Sequence, residues 1–138
     1  MRDELSIYFE NPATDPLGHE SVEGKLVFDR QGATLRYKQK DRAFRKNDPV
    51  VVQLAWSEVE AVSYTSKFFG PKILVFRTRG TDKLSGFPGS DVGKVKLHVS
   101  KDSRHDAKKA ENFVEYWQSE DWLEEQDKNL SEKRNRLL

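Results

Sequence analysis

Lys94-Val95-Lys96-Leu97-His98-Val99 is the stretch that decides the fold, because polar and apolar residues alternate through it without a break. This period of two is typical of a β-strand with one buried face. An amphipathic helix is predicted to begin shortly afterwards, at Ser103, and to run through Trp117. A strand that leads directly into a closing helix indicates a β-meander covered by a C-terminal helix.

The helix has the clearest local pattern. Ser103, with Asp106 three residues later, matches a capping box, in which side chains satisfy backbone N–H groups of the first turn. The apolar residues that follow share one stripe at helical spacing: Ala107, Ala110, Phe113, Val114 and Trp117. Burial of each large side chain in this stripe would contribute roughly 2–3 kcal/mol.

Six further strand-like runs precede the last strand. They cover residues 5–9, 22–28, 35–37, 50–56, 59–65 and 73–76. Asp29-Arg30-Gln31-Gly32 predicts a hairpin turn in which Gly32 takes a positive φ. The expected inward set is bulky and apolar, which predicts a filled interior: Leu26, Phe28, Tyr37, Leu54, Trp56, Val75, Leu97 and Trp117.

Length and composition limit the function classes. A chain of 138 residues is expected to form one domain with one core. Its formal net charge of +1 gives no overall attraction to nucleic acid or to an anionic membrane. There is no cysteine, which excludes disulfides, thiolate catalysis and cysteine metal sites. With no signal-peptide pattern and no run approaching the roughly 20 apolar residues of a membrane span, we expect a soluble, cytoplasmic protein.

The pattern of strands and turns resembles the pleckstrin-homology (PH) superfold in its bacterial PH-like and GRAM-like versions. The resemblance is carried by residues 23–28, 33–37, 52–62 and 72–76 and by Trp117 in the middle of the helix. It implies a mainly β fold, a PH-like barrel of about seven antiparallel strands closed by a C-terminal α-helix. Residues 1–120 would form this domain, and residues 121–138 a helical or frayed charged tail.

The resemblance also implies an interaction module, since PH-like domains bind lipid head groups, peptides or protein partners. In their phosphoinositide-binding members, basic residues lie in the loop that joins the first two strands. Here the most basic loop follows the third predicted strand and contains Lys38, Lys40, Arg42, Arg45 and Lys46. Adjacent cations of this kind could hold a phosphate or an anionic membrane surface, or form a solvated hairpin tip that protects a strand edge.

Two aromatic features are further candidates for binding. Phe68 and Phe69 lie in a tight turn, where they could insert into a membrane interface or a partner's pocket, or where one could fold back over the end of the barrel. Phe87 lies in the glycine-rich loop 80–93 and either contributes to binding or anchors that loop to the barrel.

The charged tail carries Leu123, Leu130 and Leu137 at intervals of seven residues. This spacing permits a short helix–helix contact between two copies. The alternative is an extension of the main helix that frays after about residue 128, because a short charged helix is marginal by itself.

We therefore expect a non-enzymatic module that binds a protein partner or self-associates, with strand addition at an open sheet edge as one route. Peripheral binding to anionic lipid through the basic loop and the aromatic turn is the alternative. Nucleic acid is not expected as a partner, because the basic patch is small. The scattered histidines His19, His98 and His105 match no zinc or triad spacing, so neither a cofactor, a metal nor a catalytic residue is predicted.

Overall fold

The computed structural model describes residues 3–12, 21–40, 48–66 and 70–137. In this part of the chain, seven strands form two antiparallel sheets, and a long C-terminal helix packs against them. The mainly β class with a closing helix is therefore confirmed. The sheets are not closed into a barrel, since they remain separate hydrogen-bonded units.

The strands follow one another in chain order. The four-stranded sheet, in the order β1-β2-β3-β4, contains Leu5–Asn11 (β1), Ser21–Asp29 (β2), Gly32–Lys40 (β3) and Val50–Ala55 (β4). The three-stranded sheet, in the order β5-β6-β7, contains Val59–Thr65 (β5), Ile73–Thr78 (β6) and Lys94–His98 (β7). Each strand lies where the period of two and the turn signals predicted one.

The turn between β2 and β3 requires a glycine. Gly32 has a φ of +145°, and a Cβ at this position would collide with the carbonyl of Leu54 on β4. The Asp29 carboxylate accepts hydrogen bonds from the backbone N–H groups of Gln31 (2.8 Å) and Gly32 (3.2 Å). The hairpin predicted from the sequence is thus confirmed, and the buried Trp56 indole N–H fixes it further by donating to the Asp29 carbonyl at 3.1 Å.

The two sheets meet along β1 and β7. Phe9 and Val99 form a β-bridge, and the backbone N–H of Ser100 donates to the carbonyl of Tyr8 at 2.9 Å. Between the sheets, the ring of Phe28 lies 6.2 Å from that of Trp56 and 6.0 Å from that of Phe76. Large aromatic side chains therefore fill the centre of the core.

Two members of the expected inward set lie nearer the surface. Val75 is only partly buried, because β6 turns its neighbours Leu74 and Phe76 into the core instead. Trp117 is also partly buried, with the guanidinium of Arg30 over its ring at 5.5 Å from the ring centroid. The prediction that Val75 belongs to the interior was wrong in this respect, whereas Trp117 packs against the core from its partly buried position.

The C-terminal segment differs from its prediction at both ends. It begins with a 3₁₀ turn, Lys101–Ser103, followed by the short helix Arg104–Ala107 (α1) and the long helix Ala110–Leu137 (α2). The predicted capping box is wrong, because Ser103 makes no side-chain cap hydrogen bond. The predicted fraying after about residue 128 is wrong as well, because α2 continues for 28 residues, about 42 Å.

The apolar stripe of the helix packs as predicted. Ala107, Ala110, Phe113 and Val114 are all buried against the sheets. The first part of α2 therefore belongs to the core, and its second part extends beyond it with residues 122–136 all exposed.

Candidate interaction surfaces

Most of the residues predicted to bind a partner lie outside the described part of the chain. These are Arg42, Arg45 and Lys46 of the basic loop and Phe68 and Phe69 of the aromatic turn. Lys40 ends β3, where its backbone is described but its side chain is not. The structure therefore places two of the predicted side chains, those of Lys38 and Phe87.

Phe87 lies in the core and not on a binding surface. It is 2% exposed, and its ring centroid lies 4.9 Å from that of Tyr37 and 6.0 Å from that of Phe9. Phe9 and Tyr37 are the two register partners of Gly24, one on each neighbouring strand. Phe87 thus contacts the side chains on both sides of Gly24. This contact confirms that Phe87 anchors its loop, and it argues against a role in binding.

Lys38 lies at a concave groove on the outer face of the four-stranded sheet, with a volume of about 420 Å³. The strand register builds this outer groove, because Cα partners share a face of the sheet. One row pairs Tyr8 with Lys25 and Lys25 with Arg36, and the next joins Glu23 to Lys38. A Cβ on Gly24, between the rows, would collide with the carbonyl of Arg36, so only a glycine allows the strands to approach this closely.

The outer groove has a mixed but cationic lining. Lys25, Arg36 and Lys38 contribute positive charge, whereas Glu10 and Glu23 line the same groove. Tyr8 adds an aromatic ring that is 53% exposed. This arrangement can hold a small anionic group beside an apolar one. Sequence reasoning found only Lys38 here, because the other residues join it through cross-strand register and not through a local motif.

Specific side chains occupy the edges of the sheets at β1 and β5. The Asn11 amide donates to the carbonyl of Lys96 (2.8 Å) and accepts from the N–H of His98 (2.7 Å), which ties β1 to β7. On β5, the Tyr64 N–H donates to Glu111 of α2 at 3.0 Å, and Gln118 donates to the Val59 carbonyl at 2.8 Å. A further strand cannot pair at these positions unless these bonds break.

The edge at β4 is shielded at one end. Lys83 Nζ donates to the Gln53 carbonyl at 3.2 Å and to Glu58 Oε1 at 3.0 Å. The hydrogen bond from Lys83, with one from the backbone of Ala55, lowers the pKa of the Glu58 carboxyl. At the other end of β4, Val51 is 54% exposed. Because β4 is the last strand of its sheet, a further strand could pair with the backbone there.

The part of α2 that extends beyond the core exposes large apolar side chains, among them Trp122, which is 58% exposed and lies to one side of the others. Tyr116, Leu123 and Leu130 lie seven residues apart and are 40%, 50% and 58% exposed. They form a line along the helix, which we call the exposed stripe, and Leu137 follows at the same spacing in the sequence. Leu123 follows the buried Val114 by nine residues, about two and a half turns of helix, so the two side chains lie on opposite sides of α2. The stripe therefore faces away from the sheets.

Acidic and basic residues are separated along residues 120–137 of α2. Residues 120–127 carry five carboxylates and no cation, namely Glu120, Asp121, Glu124, Glu125 and Asp127. Residues 128–137 carry four cations and one carboxylate, namely Lys128, Lys133, Arg134, Arg136 and Glu132. The predicted leucine spacing is therefore displayed on a helix whose first block is acidic and whose second block is basic.

Comparisons with known proteins return no relative: no protein-family model, no curated protein and no solved structure matches this chain. No helix in the described residues combines the length and apolar character needed to cross a membrane. No cluster of three or more histidine or acidic side chains in the same residues has the geometry of a metal site. The exposed stripe and the outer groove are therefore the two surfaces of the described residues that could bind a partner.

Proposed function

We propose that this chain is a non-enzymatic interaction module that binds a protein partner or a second copy of itself through the exposed stripe on α2. The observation that carries the proposal is the position of Leu123 and Leu130, each at least half exposed on a helix that has left the core. Aligned apolar side chains on a surface helix are typical of a helix that packs against another element.

The isolation of this helical segment supports the proposal. An unsupported helix of fewer than about 15 residues is marginal in water, because helix stability comes mainly from packing of its apolar face. The segment 122–136 is exposed throughout, so within this chain it has no such packing. A partner on the exposed stripe would supply it.

The filled interior supports a module without an enclosed ligand site. Phe28, Phe76 and Trp56 pack ring to ring in the centre of the core, and Phe87 fills the space between Phe9 and Tyr37. Ligand pockets in proteins usually enclose several hundred Å³ of space, which such packing does not leave. The outer groove, at about 420 Å³, lies on the solvent side of the sheet.

We further propose that the fold is an open form of the bacterial PH-like, GRAM-like type and that the protein acts in the cytoplasm. The chain order of the two sheets, followed by a helix that covers the edge of β5, supports the first part. A sequence without cysteine is compatible with a reducing compartment and supports the second. A fold of this kind serves many binding functions, so the partner must be sought at the surface.

A pair of neutral substitutions tests the proposed surface. Leu123→Gln with Leu130→Gln removes the apolar stripe but keeps charge and helix propensity. Ser131→Gln with Asn135→Gln changes the same segment away from the stripe and serves as the control. We expect the leucine variant, and not the control, to lose both self-association in sedimentation and partner capture from a host extract, while both variants keep the cooperative thermal unfolding of the native core. Equal behaviour of the two variants in both assays would refute the proposal.

Anionic-lipid binding at the outer groove is a second candidate function. The observation that favours it is the convergence of Lys25, Arg36 and Lys38 on one concave face, directly before the basic loop. Glycerol-phospholipid vesicles with and without phosphatidylserine would test it. Binding should require phosphatidylserine and weaken with salt.

Matched variants separate this groove from general basicity. Lys25→Gln with Arg36→Gln and Lys38→Gln should abolish vesicle binding. Arg77→Gln with Arg79→Gln and Lys108→Gln removes the same charge from other exposed positions and should retain it. Absence of binding by the native chain at low salt would reject the lipid candidate.

A further inference from the structure

We infer that the occupant of the exposed stripe is a second copy of this chain, with the two α2 helices paired antiparallel over their outer halves. The inference deepens the proposed function and rests on it. The leucine spacing of α2 sets the register of such a pair, and its charge order favours the antiparallel over the parallel orientation.

The leucines define a register. In an antiparallel pair, Leu123 of one copy can face Leu130 of the other, and the symmetry of the pair then makes the reciprocal contact as well. This register places the centre of the paired helices between Gln126 and Asp127. It also places Tyr116 opposite Leu137 of the second copy, so the whole exposed stripe is used.

The charges define nearly the same centre. The change from acidic to basic residues falls between Asp127 and Lys128, one residue from the centre that the leucines give. In antiparallel copies, the acidic block of each helix lies beside the basic block of the other. In parallel copies, five carboxylates would lie beside five carboxylates, which is unfavourable.

The dimensions also fit. The stretch 119–136 spans about 27 Å of helix. In this register the end of one helix reaches the point at which the other leaves its sheets, near Tyr116 and Trp117. The two folded bodies then lie at opposite ends of the pair.

The chain has no cysteine, so single cysteines report the arrangement without interference. Gln126→Cys places a thiol near the proposed centre, whereas Ser119→Cys and Lys133→Cys place thiols on the same flank seven residues to either side. An antiparallel pair brings residue 126 close to itself and residue 119 close to residue 133. A parallel pair places the same flank of its two helices on opposite sides of the contact and leaves residues 119 and 133 about 21 Å apart along the axis, so it cross-links none of these positions efficiently.

The experiment uses the full chain under mild oxidation and at several concentrations. We expect disulfide dimers from Gln126→Cys alone and from the mixture of Ser119→Cys with Lys133→Cys, and not from Ser119→Cys alone. Leu123→Gln with Leu130→Gln, in the chain without thiols, should weaken the dimer at least about tenfold in sedimentation equilibrium. A retained cooperative unfolding transition would show that the loss is not unfolding of the domain.

Two results would overturn the inference. Failure of both Gln126→Cys and the mixture to cross-link, in a chain that sediments as a dimer, would exclude the antiparallel register. A native chain that stays monomeric at all concentrations would exclude self-pairing. If that monomer still captured a partner through Leu123 and Leu130, the proposed function would stand while this inference failed.

Discussion

The Ser103 hydroxyl accepts a hydrogen bond of 2.9 Å from the backbone N–H of Tyr8, across 95 positions of the chain. Ser103 is 4% exposed, so the bond lies in a region with little water. It ties the start of the C-terminal helical segment to the edge of β1. The residue whose sequence context indicated a helix cap thus satisfies a strand edge in the folded chain.

Ser103→Ala should therefore lower the free energy of unfolding by about 1–2 kcal/mol, because it leaves the Tyr8 N–H without its partner. Chemical denaturation of the native chain and the variant would measure this. Ser119→Ala, which removes an exposed hydroxyl from α2, is the control and should change stability by less than about 0.5 kcal/mol. Equal effects of the two substitutions would contradict the assigned role.

Tyr64, in contrast to Ser103, has a buried hydroxyl that makes no hydrogen bond within the described residues. Burial raises the pKa of this hydroxyl. Tyr64→Phe should leave stability unchanged or raise it by up to about 1 kcal/mol, since a desolvated polar atom is removed. Thr78→Val is the matched comparison, because the Thr78 hydroxyl donates to the Gly93 carbonyl at 3.1 Å and its loss should destabilise. Thermal unfolding of both variants would decide the sign.

Val92 occupies a strained turn. Its φ is +47°, it is 99% exposed, and it lies between Asp91 and Lys94, whose backbones exchange hydrogen bonds of 2.9 and 3.0 Å. A β-branched residue is unfavourable in this left-handed conformation, whereas Asn followed by Gly93 is preferred. Val92→Asn should raise stability by about 1 kcal/mol, measured by denaturation.

The same substitution in a strand provides its control. Val51 is another exposed valine, on β4, where the backbone is extended and β-branched residues are favoured. Val51→Asn should lower stability. A stabilising effect at both positions would indicate a general benefit of polar surface and not relief of strain at the turn.

The ion pair between Lys83 and Glu58 predicts a pH dependence. The hydrogen bond from Lys83 holds the pKa of Glu58 below its usual value, so the unfolded chain takes up a proton at this carboxyl before the folded chain does. The stabilisation is therefore present above the ordinary carboxyl range and is lost as pH falls through the folded pKa. Denaturation series of the native chain and Glu58→Gln should differ near neutral pH and converge in acid. Lys83→Gln should reproduce this pattern, and a difference independent of pH would contradict it.

Local patterns were sufficient to predict the strands, and they failed where distant segments meet. The period of two in Lys94–His98 and the glycine of the Asp29–Gly32 turn act within a few residues, so both were readable. The two-sheet arrangement depends on how β4 and β5 diverge after the turn Trp56–Glu58, which no local pattern reports. For the same reason, Ser103 was assigned to its nearest helix and not to Tyr8.

The candidate surfaces divide in the same way. The spacing of Leu123 and Leu130 was visible along one helix, and the structure places both side chains on its exposed side. The outer groove was not visible, because Lys25, Arg36 and Lys38 converge only through the pairing of β2 with β3. The length of α2 was underestimated, since the charged residues beyond Lys128 are good helix formers despite their lack of an apolar partner.

Because α2 is one uninterrupted helix, the direction in which its outer side chains point is fixed by its first part, which Glu111 and Gln118 bind to β5. Inserting a single alanine after Ser119 would swing Leu123 and Leu130 by about 100° and advance them by about 1.5 Å, while deleting no side chain that touches a partner. For the proposed pairing, the direction in which the helix presents its leucines therefore matters as much as their presence.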